Sequence, residues 1–289
     1  MSVDITILID DYAGYEVRGL VGEHGLSVLI EVKHDSWTDS ILFDVGQTGE
    51  AVLHNSSRLG IDISRVSTIA LSHRHYDHTG GLLKVLQAIG KRVSVVAHPE
   101  IFTPQVYVTE KRVSLDLGPP FTKRDVESAG ASPVLVRDML RIAPGIYFLG
   151  EISRSPGFEG EIQGFYSLKN GRLIPDEMLD DTAIAIDLGK KGLVVVTGCS
   201  HSGIVNIVKH AIDKIGKPVF SIIGGLHLVN TNVERIEEVI NGLVELGVEE
   251  VHVGHCTGLE AECRLKSRFR NKFRKIHSGY KVYYKLSSL

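Results

Sequence analysis

The sequence has little cysteine and no long apolar run. Its three cysteines, Cys199, Cys256 and Cys263, are too few for a disulfide framework. The apolar stretches, such as 193–196 with its neighbours, have the length of a strand and are much shorter than a membrane span. Residues 1–4 lack the basic and then apolar pattern of a signal peptide. These absences predict a cytoplasmic protein without a membrane segment.

An excess of charge of one sign is also missing. The net charge is −3 over 289 residues, so the chain has no basic surplus that would favour nucleic-acid binding. One basic run, 264–275, carries Leu265, Phe269 and Phe273 at four-residue spacing, which is typical of a solvated helix with a buried stripe. Glycine-rich phosphate-binding loops are absent, and no Gly-x-Ser-x-Gly elbow surrounds Ser200 or Ser202. Nucleotide-binding and serine-nucleophile classes are therefore not expected.

The apolar patterns predict a mixture of strands and helices. Runs rich in Val, Ile and aromatic residues predict strands at 4–9, 27–32, 40–43, 66–71, 93–97, 146–149, 182–186, 192–196, 218–223, 250–253 and 281–286. Apolar residues at three-and-four spacing predict helices at 48–59, 79–89, 202–214, 232–245 and 259–272. Hairpins come early and helices alternate with strands late, which favours two packed sheets with helices outside. Residues 99–130 and 151–165 read as irregular loops.

One short segment carries a concentration of metal-ligand side chains. The run His73-Arg74-His75-Tyr76-Asp77-His78 follows a predicted buried strand and precedes a helical pattern. His73 and His75 are two residues apart, so in an extended segment their side chains point the same way. Two imidazoles with an open partner set are a typical beginning of a catalytic zinc site. Asp77 and His78 lie where the backbone turns, and they could begin a second site.

Three further histidines share one local setting. His201, His227 and His255 each come just after a predicted buried strand, in a glycine-flanked turn ahead of a helix. The carboxyl ends of strands that lead into helices are where such proteins place ligands and catalytic groups. We therefore expect these histidines near the 73–78 run.

The 73–78 run resembles the central motif of the metallo-β-lactamase superfamily. The segments Phe43-Asp44-Val45-Gly46 and His255-Cys256-Thr257-Gly258 are similar to further motifs of that superfamily. The resemblance spans the whole chain. It implies one α+β domain over 1–289, a four-layer αββα sandwich with insertions near 99–130 and 151–165, and a pair of metal ions at one edge of the sheets. It also implies that Asp44 supports the metal loop through hydrogen bonds.

Four segments point to a narrower group within that superfamily, namely 22–27, 198–203, 224–227 and 255–258. They resemble the 7,8-dihydropterin-6-methyl-4-(β-D-ribofuranosyl)aminobenzene 5′-phosphate synthase-like proteins. This resemblance implies an enzyme that acts on a phosphorylated small molecule and condenses a dihydropterin diphosphate with a ribosylaminobenzene phosphate. The alternatives are a general metallohydrolase of phosphodiesters or carboxylic esters and, from another class, a non-catalytic metal-binding sensor.

The resemblance also implies a ligand set for two divalent metal ions. His73, His75 and His201 are expected on one metal, and Asp77, His78 and His255 on the other. Zinc is the default, and manganese or iron would suit the same ligands. Asp181 is an alternative ligand or a turn residue.

Catalytic roles are implied for Asp77 and His227; for His227 the alternative is a hydrogen bond to a ligand. Cys199 lies where relatives carry a bridging Asp, and it is either a thiolate ligand or a small buried filler. His24 lines the pocket or is structural.

Overall fold

The structure is a computed structural model that describes residues 2–34, 36–110, 112–114, 117–155 and 164–285. Its strands are β1 (Ser2–Ile9), β2 (Ser27–Lys33), β3 (Thr38–Phe43), β4 (Thr68–Ala70), β5 (Val93–Ala97), β6 (Gln105–Thr109), β7 (Arg112–Ser114), β8 (Ala131–Leu135), β9 (Leu140–Ala143), β10 (Ile146–Phe148), β11 (Phe165–Lys169), β12 (Arg172–Pro175), β13 (Ala183–Asp187), β14 (Leu193–Thr197), β15 (Val219–Gly224), β16 (Glu250–Val253), β17 (Phe273–Lys275) and β18 (Lys281–Lys285). Its α-helices are α1 (Glu50–Leu59), α2 (Tyr76–Thr79), α3 (Leu82–Ile89), α4 (Lys123–Ser128), α5 (Ile204–Ile215), α6 (Val233–Glu245) and α7 (Leu259–Phe269).

Two seven-stranded sheets contain most of the strands. The first has the order β18-β1-β2-β3-β4-β5-β8, and the second has the order β17-β16-β15-β14-β13-β10-β9. In each sheet one part is antiparallel, while β3-β4-β5-β8 and β14-β15-β16-β17 run parallel. Parallel neighbours place their carboxyl ends, and the loops that follow them, at the same edge of the sheet.

Three buried apolar layers separate four layers of backbone. The central layer joins inward residues of both sheets, such as Ile5 and Val28 with Val194. A second layer packs the first sheet against α1, α3 and α4, and a third packs the second sheet against α5, α6 and α7. Alternate residues of a strand face opposite sides, so a sheet covered on both faces is apolar throughout. The fold is therefore the predicted α+β, four-layer αββα sandwich.

The expectation that 99–130 is irregular is wrong. This region contains β6, β7 and α4, and β6 pairs antiparallel with β11 in a third sheet of order β12-β11-β6-β7. Its strands were missed because the partner of β6 lies about sixty residues later, where no local pattern indicates the pairing. Of the 151–165 segment, residues 156–163 lie outside the described part, and Phe165 begins β11.

The predicted helices occur with adjusted ends. The 79–89 pattern divides into α2 and α3 at Gly80 and Gly81, where an added Cβ would come within 2.2 Å of the Gln47 carbonyl oxygen and 2.3 Å of the Val45 carbonyl oxygen. The 259–272 pattern ends as α7 at Phe269, since Arg270 has a φ of 52°. Among the described residues, no helix has the length and apolar character needed to cross a bilayer.

Candidate metal centre

The 73–78 loop connects β4 to α2 at the carboxyl edge of the first sheet. Asp44, just after β3, accepts hydrogen bonds from the Ser72 backbone N–H at 2.7 Å and the Ser72 hydroxyl at 2.6 Å. The other contact of its carboxylate is His78 Nδ1, at 2.7 Å. All three groups are fully buried, so one carboxylate fixes both ends of the loop.

A first group of donor atoms consists of His73, His75 and His201. His73 Nδ1 lies 2.8 Å from the Ser72 hydroxyl, whose own proton goes to Asp44, so we assign the proton of His73 to Nδ1. His75 Nε2 lies 2.8 Å from Gln105 Oε1 and donates to it. The remaining nitrogens, His73 Nε2 and His75 Nδ1, then face each other at 3.0 Å with lone pairs only. A cation between them would remove this repulsion.

His201, after β14, completes the first group. Its ring centroid lies 4.9 Å from that of His73 and 4.8 Å from that of His75. Both of its ring nitrogens are buried, and neither has a hydrogen-bond partner among the described residues. A buried nitrogen without a partner costs stability, about 1–3 kcal/mol, and a ligand bound to this imidazole would offset that cost.

A second group contains Asp77, His78 and His255. His78 Nε2 and His255 Nε2 are 3.2 Å apart, and Asp77 Oδ2 lies 3.3 Å from the first and 3.4 Å from the second. Donor atoms of a tetrahedral zinc site with bonds of about 2.0–2.1 Å lie about 3.3–3.4 Å apart. The three atoms therefore already have the spacing of one face of such a site.

Carboxylates orient both histidines of the second group. His78 Nδ1 contacts Asp44, and His255 Nδ1 lies 2.6 Å from Asp11 Oδ2. The two carboxylates hold one proton on each Nδ1, so Nε2 is the nitrogen of each ring that faces the donor group. A carboxylate behind a ligating imidazole is the usual arrangement at protein metal sites, because it fixes the tautomer and raises ligand basicity.

The pKa shifts agree with two differently charged groups. Burial and the neighbouring imidazoles hold the pKa of His73 and of His201 well below the usual range, and burial lowers the pKa of His75 to about 4. In the second group, burial disfavours the charged form of Asp77, but the neighbouring His78 and His255 hold the pKa of this carboxyl well below its usual range. Burial lowers the pKa of His78, but the charges of Asp77 and Asp44 outweigh burial and raise this pKa to about 9.

Imidazole and carboxylate side chains are a donor set that divalent metals bind, and metal binding would displace the proton that Asp77 and Asp44 favour on His78. The residues present therefore fit two metal ions. The structure brings together the six side chains that the sequence suggests as ligands, with His73, His75 and His201 in one group and Asp77, His78 and His255, joined by Cys199, in the other. The rings of His73 and His78 lie 4.3 Å apart, so the two groups adjoin.

Asp181 is in neither donor group of the described residues. Its Oδ2 accepts a hydrogen bond from the Ser202 backbone N–H at 2.7 Å, and its carbonyl accepts one from the Ser202 hydroxyl at 3.1 Å. Burial raises the pKa of this carboxyl to about 6. Asp181 thus supports the loop that carries His201, while its Oδ1 is buried without a partner among the described residues, so both roles open from the sequence stay predictions.

His227 and His24 lie at the rim of the donor groups. The ring of His227 is 4.1 Å from that of His201, and its Nδ1 is buried without a partner among the described residues. His24 is exposed; its Nδ1 lies 2.7 Å from Asp11 Oδ1 and its Nε2 lies 3.7 Å from Asp77 Oδ2. The structure therefore brings both rings beside the donor groups.

Sequence reasoning missed Arg74, which is fully buried between the two ligands of the motif. Its guanidinium pairs with Asp180 at 2.8 Å and with Asp176 at 3.0 Å, and its backbone N–H donates to Asp180. It also reaches the Thr103 carbonyl and the Ser167 hydroxyl at the third sheet. A buried cation needs buried anions, so the acids at 176 and 180 were a signal in the sequence.

Several residues of the site have strained backbone. Asp44, Ser200, His227 and His255 have φ values of 58°, 66°, 49° and 48°, in the left-handed region that side chains disfavour. Such conformations cluster at functional sites, where the surrounding structure holds them.

Comparisons with known proteins place the chain in a family. A family model described as the metallo-β-lactamase superfamily matches residues 20–148. The 7,8-dihydropterin-6-methyl-4-(β-D-ribofuranosyl)-aminobenzene-5′-phosphate synthase of Methanocaldococcus jannaschii is 40% identical over 96% of this chain and 95% of its own length. A second protein of that organism, the uncharacterized protein MJ0448, is 30% identical over 90% of this chain and 93% of its own length.

A solved structure agrees with this assignment. The crystal structure of Tm1679, described as a metal-dependent hydrolase of the β-lactamase superfamily, has a TM-score of 0.80 and 30% sequence identity, and the match covers 97% of this chain and 98% of that one. The fold, the motif and these similarities agree. The chain therefore belongs to the metallo-β-lactamase superfamily, in the group that includes the M. jannaschii synthase, and it is a metal-dependent enzyme.

Proposed function

We propose that this enzyme uses two metal ions to condense a dihydropterin diphosphate with a ribosylaminobenzene phosphate. The observation that carries the metal requirement is the pair of imidazole nitrogens that face each other at close range in each donor group. The choice of substrates is supported by the synthase from M. jannaschii, which is 40% identical over nearly the whole chain. In a different protein environment the same donor groups would serve hydrolysis.

His73, His75 and His201 would hold one metal, and Asp77, His78 and His255 the other. When bound, two divalent metals would act as Lewis acids on the diphosphate oxygens and neutralise charge on the leaving group. Zinc, manganese and iron(II) all accept imidazole and carboxylate ligands.

The proposed reaction exchanges one bond for another at the pterin methylene carbon. The amine nitrogen of the aminobenzene forms the new C–N bond, the C–O bond breaks, and diphosphate leaves with the electron pair while the amine loses a proton. His227 would donate a hydrogen bond to the leaving oxygen, as an acid catalyst requires. Its unpartnered, buried Nδ1 makes this imidazole available to a ligand.

Arg154 supplies a further cationic group. Its guanidinium donates to the Met178 carbonyl at 2.8 Å and lies 3.4 Å from the hydroxyl of Ser202, the residue after His201. Its Nε is buried without a partner among the described residues. Arginine recognises phosphate through several N–H groups, so Arg154 is suited to hold a substrate phosphate beside the first donor group.

Aromatic rings beside the first donor group suit planar substrates. The ring of Phe165 lies 5.5 Å from that of His75 and 4.8 Å from that of Tyr107. Both residues are half-buried, so part of each ring remains accessible. A pterin or aminobenzene ring would gain from stacking on such a surface.

The test is diphosphate release from 6-hydroxymethyl-7,8-dihydropterin diphosphate by metal-loaded protein, with and without the ribosylaminobenzene phosphate. We expect release that depends on the arylamine, is lost in His78→Ala and is kept in His54→Ala, a matched control at an exposed histidine of α1. Absence of arylamine-dependent release, with metal bound, would contradict the proposal.

A general metallohydrolase is the second candidate. It is favoured by the 30% identity to the structure described as a metal-dependent hydrolase. A panel of phosphodiesters and carboxylic esters distinguishes the two, because a hydrolase needs no amine and a synthase shows little turnover without one.

A further inference from the structure

We propose that Asp176 is a positioning residue that selects the tautomer of His75 through the side-chain amide of Gln105. Asp176 is in neither donor group of the described residues. The amide lies between the two side chains: Gln105 Oε1 is 2.8 Å from His75 Nε2, and Gln105 Nε2 donates to Asp176 Oδ2 at 3.0 Å. Both Gln105 and Asp176 are buried. The inference rests on the proposed metal-dependent function, but it is independent of the substrates.

The neighbours of Gln105 decide which end of its amide faces His75. Gln105 Nε2 lies 3.0 Å from Asp176 Oδ2 and 2.8 Å from Met178 Sδ, and these two atoms can only accept hydrogen bonds. The NH₂ end of the amide must therefore lie on this side, which leaves Oε1 to face His75. An amide oxygen can only accept, so His75 carries its proton on Nε2 and keeps on Nδ1 the lone pair that a metal needs.

Four donors occupy the Asp176 carboxylate. Its Oδ2 accepts hydrogen bonds from Gln105 and from the Ser167 hydroxyl at 2.9 Å. Its Oδ1 accepts from the Met178 backbone N–H at 2.8 Å and from the Arg74 guanidinium at 3.0 Å. A carboxylate has about four lone-pair sites, so all of them are used. The carboxylate cannot rotate without losing hydrogen bonds, and it therefore holds the amide in one orientation.

The third sheet fixes the distances between these groups. Gln105 is the first residue of β6 and lies opposite Ser167 of β11, while Asp176 directly follows β12. Met178 has a φ of 52°, a left-handed turn that returns its backbone N–H to Asp176. The sheet therefore presents an oriented amide to His75.

Reversal of the amide would close the first donor group to a metal. If the NH₂ end faced His75, Nε2 would have to accept and the proton would lie on Nδ1. That nitrogen is 3.0 Å from His73 Nε2 and would donate to it, so the two imidazoles would satisfy each other without a cation. Asp176 therefore keeps available a lone pair that the opposite amide orientation would remove.

Asp176→Asn is the variant that should reverse the amide. The Oδ1 side of this carboxylate faces two donors, the Arg74 guanidinium and the Met178 N–H, so the new amide should keep its oxygen there. Its NH₂ then points toward Gln105. We expect Gln105 to turn its Oε1 to that group and its own NH₂ to His75.

Two further variants separate this effect from a loss of charge. Asp180→Asn makes the same change at the other carboxylate that pairs with Arg74, and it leaves the hydrogen bond between Asp176 and Gln105 in place. The double variant Asp176→Asn with Gln105→Glu exchanges the amide and the carboxylate between the two positions. Its carboxylate at 105 can accept from both the amide at 176 and His75 Nε2, so it should restore the original tautomer.

The experiment is a two-bond proton–nitrogen correlation spectrum of the metal-free protein with isotope-labelled histidine, in which His75→Gln assigns the signals. Burial lowers the pKa of His75 to about 4, so at neutral pH the ring holds one proton. We expect this proton on Nε2 in the wild type, in Asp180→Asn and in the double variant, and on Nδ1 in Asp176→Asn. A proton on Nδ1 in the wild type, a result that needs no variant to fold, or on Nε2 in Asp176→Asn would overturn the inference.

Zinc titration measures the consequence for binding. The affinity of the first donor group should fall about 10–100-fold in Asp176→Asn, return in the double variant and stay unchanged in Asp180→Asn. Unchanged affinity in Asp176→Asn would also overturn the inference. Neither readout uses a substrate, so the expected tautomers without arylamine-dependent diphosphate release would contradict the proposed function alone.

Discussion

Four of the five imidazoles expected as ligands use their two nitrogens for different tasks. One nitrogen contacts a protein oxygen, at Ser72, Gln105, Asp44 or Asp11, and the other faces a donor group. The supporting oxygen decides which tautomer exists and therefore which nitrogen is free to bind. The fifth imidazole, that of His201, has no supporting protein oxygen among the described residues.

The first prediction concerns Asp44. Asp44→Asn places an amide where three groups now contact a carboxylate, so we expect the affinity of the second metal to fall about 10–100-fold while the first metal stays bound. Metal-competition titration with a chromophoric chelator measures this. Asp213→Asn, at an exposed position of α5, is the control and should bind as the wild type does. Equal loss of both metals would contradict a specific role for Asp44.

The second prediction contrasts two buried histidines. His201→Ala removes two unpartnered nitrogens, so the metal-free protein should lose little or no stability, while the metal content falls by one ion per chain. His210→Ala breaks contacts with the Ser153 backbone N–H at 3.1 Å and the Leu149 carbonyl at 3.3 Å, and should cost about 1–3 kcal/mol without changing metal content. Urea unfolding and elemental analysis measure both quantities. The reverse pattern would mean that His201 is structural.

At the scale of elements, Arg74 links the motif loop to the third sheet. Asp176 follows β12, Ser167 lies in β11, and Asp180 precedes β13, so the guanidinium contacts a region that is distant from Arg74 in sequence. Arg74 itself lies between His73 and His75. The small third sheet is therefore part of the support of the first donor group.

The third prediction follows from this link. Arg74→Met leaves Asp176 and Asp180 buried without their cation, and we expect a loss of about 3–5 kcal/mol of unfolding free energy. The double variant Arg74→Met with Asp180→Asn should recover part of the loss, because one uncompensated charge is gone. Denaturant unfolding measures this, with Arg268→Met at an exposed position of α7 as the control. A loss below about 1 kcal/mol would show that the ion pair is not effectively buried.

The sequence predicts elements well where their pattern is local. Strands buried on both faces, such as β14, are continuous apolar runs, and amphipathic helices such as α5 repeat at helical spacing. It fails where pairing is long-range or one face is open: all four residues of β12 are exposed, and Pro133 lies within β8, an edge strand. The capping box of Thr122 and Asp125, which begins α4, was a readable signal.

The candidate site divides in the same way. The histidines at strand ends can be predicted, because parallel strands bring their carboxyl ends to one edge. The position of the Cys199 sulfur could not be predicted, because it depends on the left-handed turn at Ser200 and on contact with a loop more than a hundred residues earlier in the chain. Asp11 could not be assigned either, because its pairing with His255 joins opposite ends of the chain.

At the scale of the whole molecule, each donor group contains residues from both sheets. His73, His75, Asp77 and His78 follow β4 of the first sheet, whereas His201 and His255 follow β14 and β16 of the second. A ligand that contacts both sheets binds only when they are packed against each other.

The fourth prediction is that metal removal lowers global stability. Binding to the folded state alone stabilises it by about 2.7 kcal/mol when free metal is a hundredfold above Kd. Chelation should therefore lower the Tm, added zinc should restore it, and His78→Ala should show a smaller shift than His54→Ala. Differential scanning calorimetry measures this. An unchanged Tm, with metal binding demonstrated independently, would mean that the ions do not join the two sheets.

The residues with left-handed backbone at the metal centre imply a conflict between stability and activity. Asp44, Ser200, His227 and His255 each hold a conformation that glycine would adopt at lower cost, of the order of 1–3 kcal/mol per position. Glycine would remove the carboxylate, hydroxyl or imidazole that the position presents. A search for more thermostable variants would therefore tend to select glycine at these four positions and to recover proteins that fold better and catalyse less.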